Sequence, residues 1–116
     1  MDRKTPESKT QHKEAYYQKK ILEWLRKTYP GTGFFWKAQA GPYCRGGIPD
    51  ICGCLDGHFF GFEVKRPGGK PTELQKETIR QINAAGGTAL IVTTVEQVKE
   101  AIDKWKTGTQ ERAAPK

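Results

Sequence analysis

The run DICGCLDGHFFGFEVK, residues 50–65, constrains the chain more than any other stretch. Two segments rich in apolar and aromatic residues flank Asp56-Gly57. An Asp-Gly pair in that setting is the strongest short-range signal for a two-residue hairpin. The residues predict a strand over 50–55 and a returning strand over 58–65. Side chains alternate along a strand, so Glu63 and Lys65 share one face while Phe62 and Val64 point to the core. Asp50 opens the first strand and can meet Glu63 at the end opposite the turn. Two carboxylates and an ammonium group then converge, and such charges are expensive to half-bury without partners.

The rest of the chain falls into place around this hairpin. Residues 12–28 are helical in pattern, with Tyr17, Ile21, Leu22 and Leu25 recurring at spacings of three and four. Pro30 and Gly31 stop that helix. FFWKAQA, residues 34–40, predicts a first strand, followed by a loop rich in Gly and Pro. Thr72 and Gln75 form a capping box that opens a helix running to about Ala85, which Gly86-Gly87 ends. TALIVTT, residues 88–94, reads as a strand buried on both faces. Thr94 and Gln97 repeat the capping box, and Val95, Val98, Ile102 and Trp105 form the inner stripe of a last helix. The order is helix, three strands, helix, strand, helix. The unit from His58 to Thr94 predicts a right-handed crossover between parallel strands.

With 116 residues the chain has room for one domain and one small core. That domain is expected over 12–106, between a disordered polar tail at 1–11 and a flexible one at 107–116. Lys and Arg number 20 against 13 Asp and Glu, a formal net charge of +7. Such an excess points to a polyanionic partner, with nucleic acid favoured over a membrane surface or a merely solubilising coat. No apolar run is long enough to span a bilayer, and the first residues lack the apolar region of a secretory signal. Three cysteines do not suggest a disulfide framework, so a reducing, cytoplasmic setting is expected.

Two carboxylates tolerate closeness when a cation lies between them. Mg²⁺ takes oxygen ligands, keeps several waters and is completed by substrate phosphate. A neighbouring lysine can steady an anionic phosphate or orient a water, a combination suited to metal-assisted phosphodiester hydrolysis. A salt-bridged, solvated sheet edge would account for EVK alone. IPD at Ile48 to Asp50 followed by FEVK at Phe62 to Lys65 resembles the PD-(D/E)XK nuclease signature. The wider run GGIPDICGCLDGHFFGFEVKRPGGKPTELQ is similar to the VRR-NUC branch of that superfamily, over about Glu14 to Ile102. Short stand-alone members are typical of phages and bacteria.

The resemblance implies an α/β fold with a restriction-endonuclease-like αβββαβ core, its mixed sheet flanked by helices, plus a C-terminal helix. It implies an Mg²⁺- or Mn²⁺-dependent endonuclease acting on DNA and leaving 5′-phosphate and 3′-hydroxyl ends. Asp50 and Glu63 would be metal ligands with the Val64 carbonyl as a third. Lys65 would contact the scissile phosphate or the attacking water, and Gln75 would support either. Glu14 matches the acidic residue of the family's first helix. Gln75 has its capping role as an alternative, and Glu14 is equally a first-turn residue favoured by the helix dipole. Branched or junction DNA is the substrate the family favours; ordinary duplex, or DNA binding without catalysis, are the alternatives.

Lys37, Arg45, Arg66 and Lys70 lie near this site in sequence and could grip flanking phosphates. Gln39 could reach it, and Tyr43 could stack on a base. Cutting two strands symmetrically needs two sites, so a homodimer is expected, with Tyr17, Trp24 or Trp36 as its apolar contact. Cys44, Cys52, Cys54 and His58 lack zinc-finger spacing and read as ordinary thiols and an unrelated His. RPGGK lacks the full phosphate-loop pattern, which excludes a nucleotide cofactor.

Overall fold

The computed structural model describes residues 12–39, 41–42 and 45–113. Helix α1 is Glu14–Thr28, followed by strands β1 Gly33–Lys37, β2 Ile51–Leu55 and β3 His58–Val64. Helix α2 is Glu73–Ala84, strand β4 is Thr88–Val92 and helix α3 is Val95–Ala113. The sheet order is β1-β2-β3-β4, with antiparallel pairs up to β3 and a parallel pair between β3 and β4. The hairpin turn sits at Asp56-Gly57, both with positive φ, as a type I′ geometry demands.

Alternation sorts the side chains by face. Phe35, Ile51, Leu55, Phe60, Phe62, Val64 and Val92 point one way and close a core with Ile21 and Leu25 of α1 and Val98 and Ile102 of α3. Trp105 stacks on His58 at 4.7 Å and meets Phe60 edge-on at 5.4 Å, extending that core along α3. The opposite face carries Cys52, Phe59, Glu63 and Ala89, and α2 crosses it above β3 and β4. Asn83 ties α2 to β4 by exchanging two hydrogen bonds with the Ala89 backbone at 2.8 and 2.9 Å.

Gly53 lies directly opposite Phe35. A Cβ there would collide with the Phe35 ring and the Phe34 carbonyl, so only glycine lets β1 and the aromatic ring close over β2. On the outer edge, Arg26 donates twice to the Phe35 carbonyl, at 3.1 and 3.3 Å. Ala38 and Asp56 mark the hydrogen-bonded pairs of the β1–β2 ladder. Phe35 alternates with them, so its carbonyl faces away from β2. The guanidinium thus blunts an edge that could otherwise pair with another chain.

Three sequence expectations are corrected. β1 stops at Lys37 rather than running to residue 40. β4 is an edge strand and is not buried on both faces, since Ile91 is 38 % exposed. It ends at Val92 because Thr93 and Thr94 turn away: both give their N–H to the Gln97 side chain, at 2.6 and 3.2 Å, in the cap of α3. Helix α3 continues to Ala113 instead of yielding to a tail after 106. Residues 107–113 hold no Pro and a single Gly, and adding a turn to a formed helix is cheap. The tail expected at 1–11 lies outside the described residues, as do Tyr43 and Cys44.

Gly53→Ala is expected to destabilise the fold by about 1–3 kcal/mol, the usual cost of forcing extra volume into a packed site. A lower urea midpoint at unchanged slope would show it.

Candidate active site

The β2–β3 ladder fails at one position, and that failure shapes the site. Ile51 pairs with Phe62, so the next hydrogen-bonded position would join residue 49 to Val64. Residue 49 is proline, which has no N–H to give. The Val64 N–H still points toward β2, and the Asp50 Oδ2 accepts it at 2.8 Å. The Val64 carbonyl, aimed the same way, is left without a ladder donor. Asp50 is therefore fixed by the backbone it faces, next to an unpaired carbonyl oxygen.

Register sets Asp50 opposite Glu63, on the face away from the main core. Glu63 is 2 % exposed, and its Oε1 is buried with no hydrogen-bond partner. Its Oε2 lies 3.6 Å from the Lys65 ammonium. Lys65 also comes within 3.9 Å of Glu14 Oε2, at the first turn of α1. These two pairs are ion pairs rather than close hydrogen bonds. Lys65 is held through its backbone: its N–H donates to the Val92 carbonyl at 2.9 Å, and its carbonyl accepts from Thr93 Oγ1 at 2.7 Å.

Burial pushes the Glu63 carboxyl up to about 7; the Asp50 charge adds to the rise and Lys65 opposes it. An acid in that condition is short of positive charge. Among the described residues no group of three or more His, Cys, Asp or Glu is arranged around one point. Two carboxylates, one of them with an orphaned oxygen, and a carbonyl that lacks its ladder donor form a donor set of hard oxygens. That set suits an octahedral ion that keeps several waters and completes its shell with phosphate.

The structure brings together Asp50, Glu63, Val64, Lys65 and Glu14. It does not bring in Gln75. That side chain closes the capping box of α2, its Oε1 accepting from Thr72 N at 2.9 Å while Gln75 N donates to Thr72 Oγ1 at 3.1 Å. Lys37 is exposed at the end of β1, beside Ala38, whose N–H donates to the Asp50 carbonyl at 2.8 Å. Arg66 and Lys70 are exposed on the turn leaving Lys65, and Gln39 is exposed as well. Arg45 reaches across to α2 and donates to Gln81 Oε1 at 3.3 Å.

Among the described residues, Cys52 and Cys54 do not converge with His58. Cys52 and Cys54 point to the α2 face and His58 to the other, where it bonds Thr88 Oγ1 at 2.8 Å. Burial, with Asp50 and Glu63 nearby, pushes the Cys52 thiol up to about 11. Tyr17 and Trp24 pack against the core, so of the three expected contact residues only Trp36 is exposed, at 41 %, beside Phe34 at 72 %. Sequence reasoning missed Pro49 as the residue that ends the ladder, although a proline ahead of the acid was readable. It also missed Thr93, whose bond to Lys65 spans 28 residues and has no local signal.

The chain matches no family model, and no curated protein is similar to it. Solved structures do resemble it. One described as a VRR_NUC domain superposes with a TM-score of 0.60 at 24 % identity, covering 80 % of this chain and 97 % of that one. Another, a VRR_NUC domain protein, gives 0.61 at 17 % identity, covering 81 % and 88 %. The fold is thus that of these domains, a small α/β unit with a four-stranded mixed sheet and three helices among the described residues.

A carboxyl raised in the folded state favours folding below its ordinary value, and that advantage is lost as pH climbs through the raised one. Without added metal, the Glu63 contribution should therefore decline from pH 4.5 to about 7. Glu63→Gln should remove this decline and raise Tm at pH 8, which calorimetry across that range would check.

Proposed function

We propose that the chain is a divalent-metal-dependent DNA nuclease of the VRR-NUC type. The observation that carries this reading is the orphaned, buried Glu63 oxygen beside Asp50 and the Val64 carbonyl, which faces Pro49 in place of a ladder N–H. The likeness of the fold to VRR_NUC domains and the match of IPD and FEVK to the nuclease signature support it.

Asp50, Glu63 and the Val64 carbonyl would hold Mg²⁺ or Mn²⁺. When bound, the ion polarises the phosphoryl group and lowers the pKa of a water. The protein's own contribution is placement. Asp50 is oriented by the Val64 N–H, so its second oxygen keeps a constant direction. Lys65 presents an ammonium whose backbone is pinned to β4, and Glu14 and Glu63 hold it between them. From there it donates to a non-bridging phosphate oxygen as negative charge builds. Water attacks phosphorus in line and the 3′ oxygen leaves.

Arg66 and Lys70, exposed on the turn that leaves Lys65, would add positive charge for the flanking phosphates, whereas Lys37 shares the Ile51 face of the sheet rather than that of Asp50 and Glu63. A domain of this size covers little duplex, so shape rather than base sequence selects the substrate, and branched DNA is the preferred one. Cutting both strands of a junction needs two sites, and the exposed Phe34–Trp36 pair on β1 is the apolar surface on which two copies would meet.

Labelled junction, flap and linear duplex, incubated with Mg²⁺ or Mn²⁺, provide the test. Asp50→Ala and Lys65→Ala are each expected to reduce cleavage by about 10²–10³-fold or more, the scale of removing one charge-stabilising group. Activity surviving either change would defeat the assignment. Metal should also raise Tm in the native chain but not in Glu63→Gln, since an ion bound only by the folded state stabilises it by mass action. Below about pH 7 its binding should release a proton, because Glu63 must ionise to ligate.

A further inference from the structure

The sheet face that carries Asp50 and Glu63 has a second feature. Between it and α2 lies a cleft of about 370 Å³. Pro49, Cys52 and Phe59 form its floor, and Ile82 of α2 with Ala85, the C-cap of that helix, forms one wall. Arg45 stands at its mouth, bonded to Gln81 across the gap at 3.3 Å. Thr78, also in the lining, is 3 % exposed and its hydroxyl has no hydrogen-bond partner.

Position relates this cleft to the chemistry. Pro49 abuts Asp50, and Cys52 follows Asp50 on the same face of β2. Two residues along a strand span about 7 Å, so the floor begins one short step from the carboxylates. The cleft volume lies at the low end of ligand pockets and suits one flat ring rather than a peptide. The lining offers an apolar floor, a guanidinium at the rim and no carboxylate. That is the chemistry of a stacking platform for a nucleobase, with the Arg plane available to cover it.

We infer that the cleft under α2 receives one unstacked nucleobase of the substrate strand, a nucleotide or two from the phosphate held at Asp50 and Glu63. This rests on the nuclease reading and sharpens it. The preferred DNA is then one whose base next to the cut is unpaired or easily extruded, because flipping a base from intact duplex costs a few kcal/mol. Preference for branched or mismatched DNA would follow from the cleft rather than from contacts along the arms.

The full-length chain is titrated with duplexes carrying one 2-aminopurine at successive positions around the cut. Emission is read in Ca²⁺ before Mn²⁺ starts cleavage. Emission should depart from its neighbours at one position within two nucleotides of the cut. Ala85→Phe at the C-cap of α2 and Gln81→Trp on α2, both at exposed positions, narrow the cleft without touching Asp50 or Glu63. Each should erase that signal and weaken binding about tenfold, the scale of losing one stacked base. Their Mn²⁺-induced rise in Tm should match the native chain, which also reports that they fold. A native chain that cleaves while emission is the same at every position overturns the cleft assignment alone. So does native-rate cleavage by both variants. No cleavage of any DNA and no Mn²⁺-induced rise in Tm overturns the nuclease reading itself, and the cleft assignment with it.

Discussion

Glu63 occupies the middle of the sheet with its carboxyl cut off from water and one oxygen lacking any donor. A buried polar atom left unmatched costs on the order of 1–3 kcal/mol, more when charged. The fold tolerates this because β3 is braced on three sides. Phe60, Phe62 and Val64 bury the opposite face, β2 pairs on one edge and β4 on the other. The strand cannot rotate its acid outward without expelling that core. An ion at this point would relieve the deficit, so the strain in the metal-free chain would be one source of the metal affinity proposed above.

The neighbours of Glu63 follow from that constraint. Pro49 interrupts the ladder at the position where Asp50 needs to turn in. The interruption yields a fixed carboxylate and a bare carbonyl together. Lys65 answers the local negative charge, yet at 3.6 and 3.9 Å from its two acids it is tightly bound to neither. Its constancy comes from the backbone, through Val92 and Thr93. An ammonium held by its main chain and loosely by its charge can shift its partner to a phosphate without reorganising the sheet.

The same face divides its labour. Helix α2 closes the far part of the sheet, but its packing against Phe59 and Cys52 stops short of filling the space. On the other side, His58, Phe60 and Trp105 pack ring against ring.

Much of this was legible in the residues themselves. Asp-Gly between two aromatic-rich segments determined the hairpin, and with it the meeting of Asp50, Glu63 and Lys65, because strand alternation is local and periodic. The capping boxes at Thr72 and Thr94 marked two helix starts correctly, since they depend only on neighbours three residues apart. Other features became visible only in three dimensions. Whether TALIV sits inside or at the edge of the sheet depends on what pairs beyond it. Whether Gln75 faces the site or its own helix cap is a contest between two partners at similar range. The Thr93 hold on Lys65, the gap beneath α2 and the orphaned oxygen of Glu63 arise from side chains far apart in sequence. Local propensity sets the direction of each side chain, while the free energy of what it meets belongs to the assembled fold.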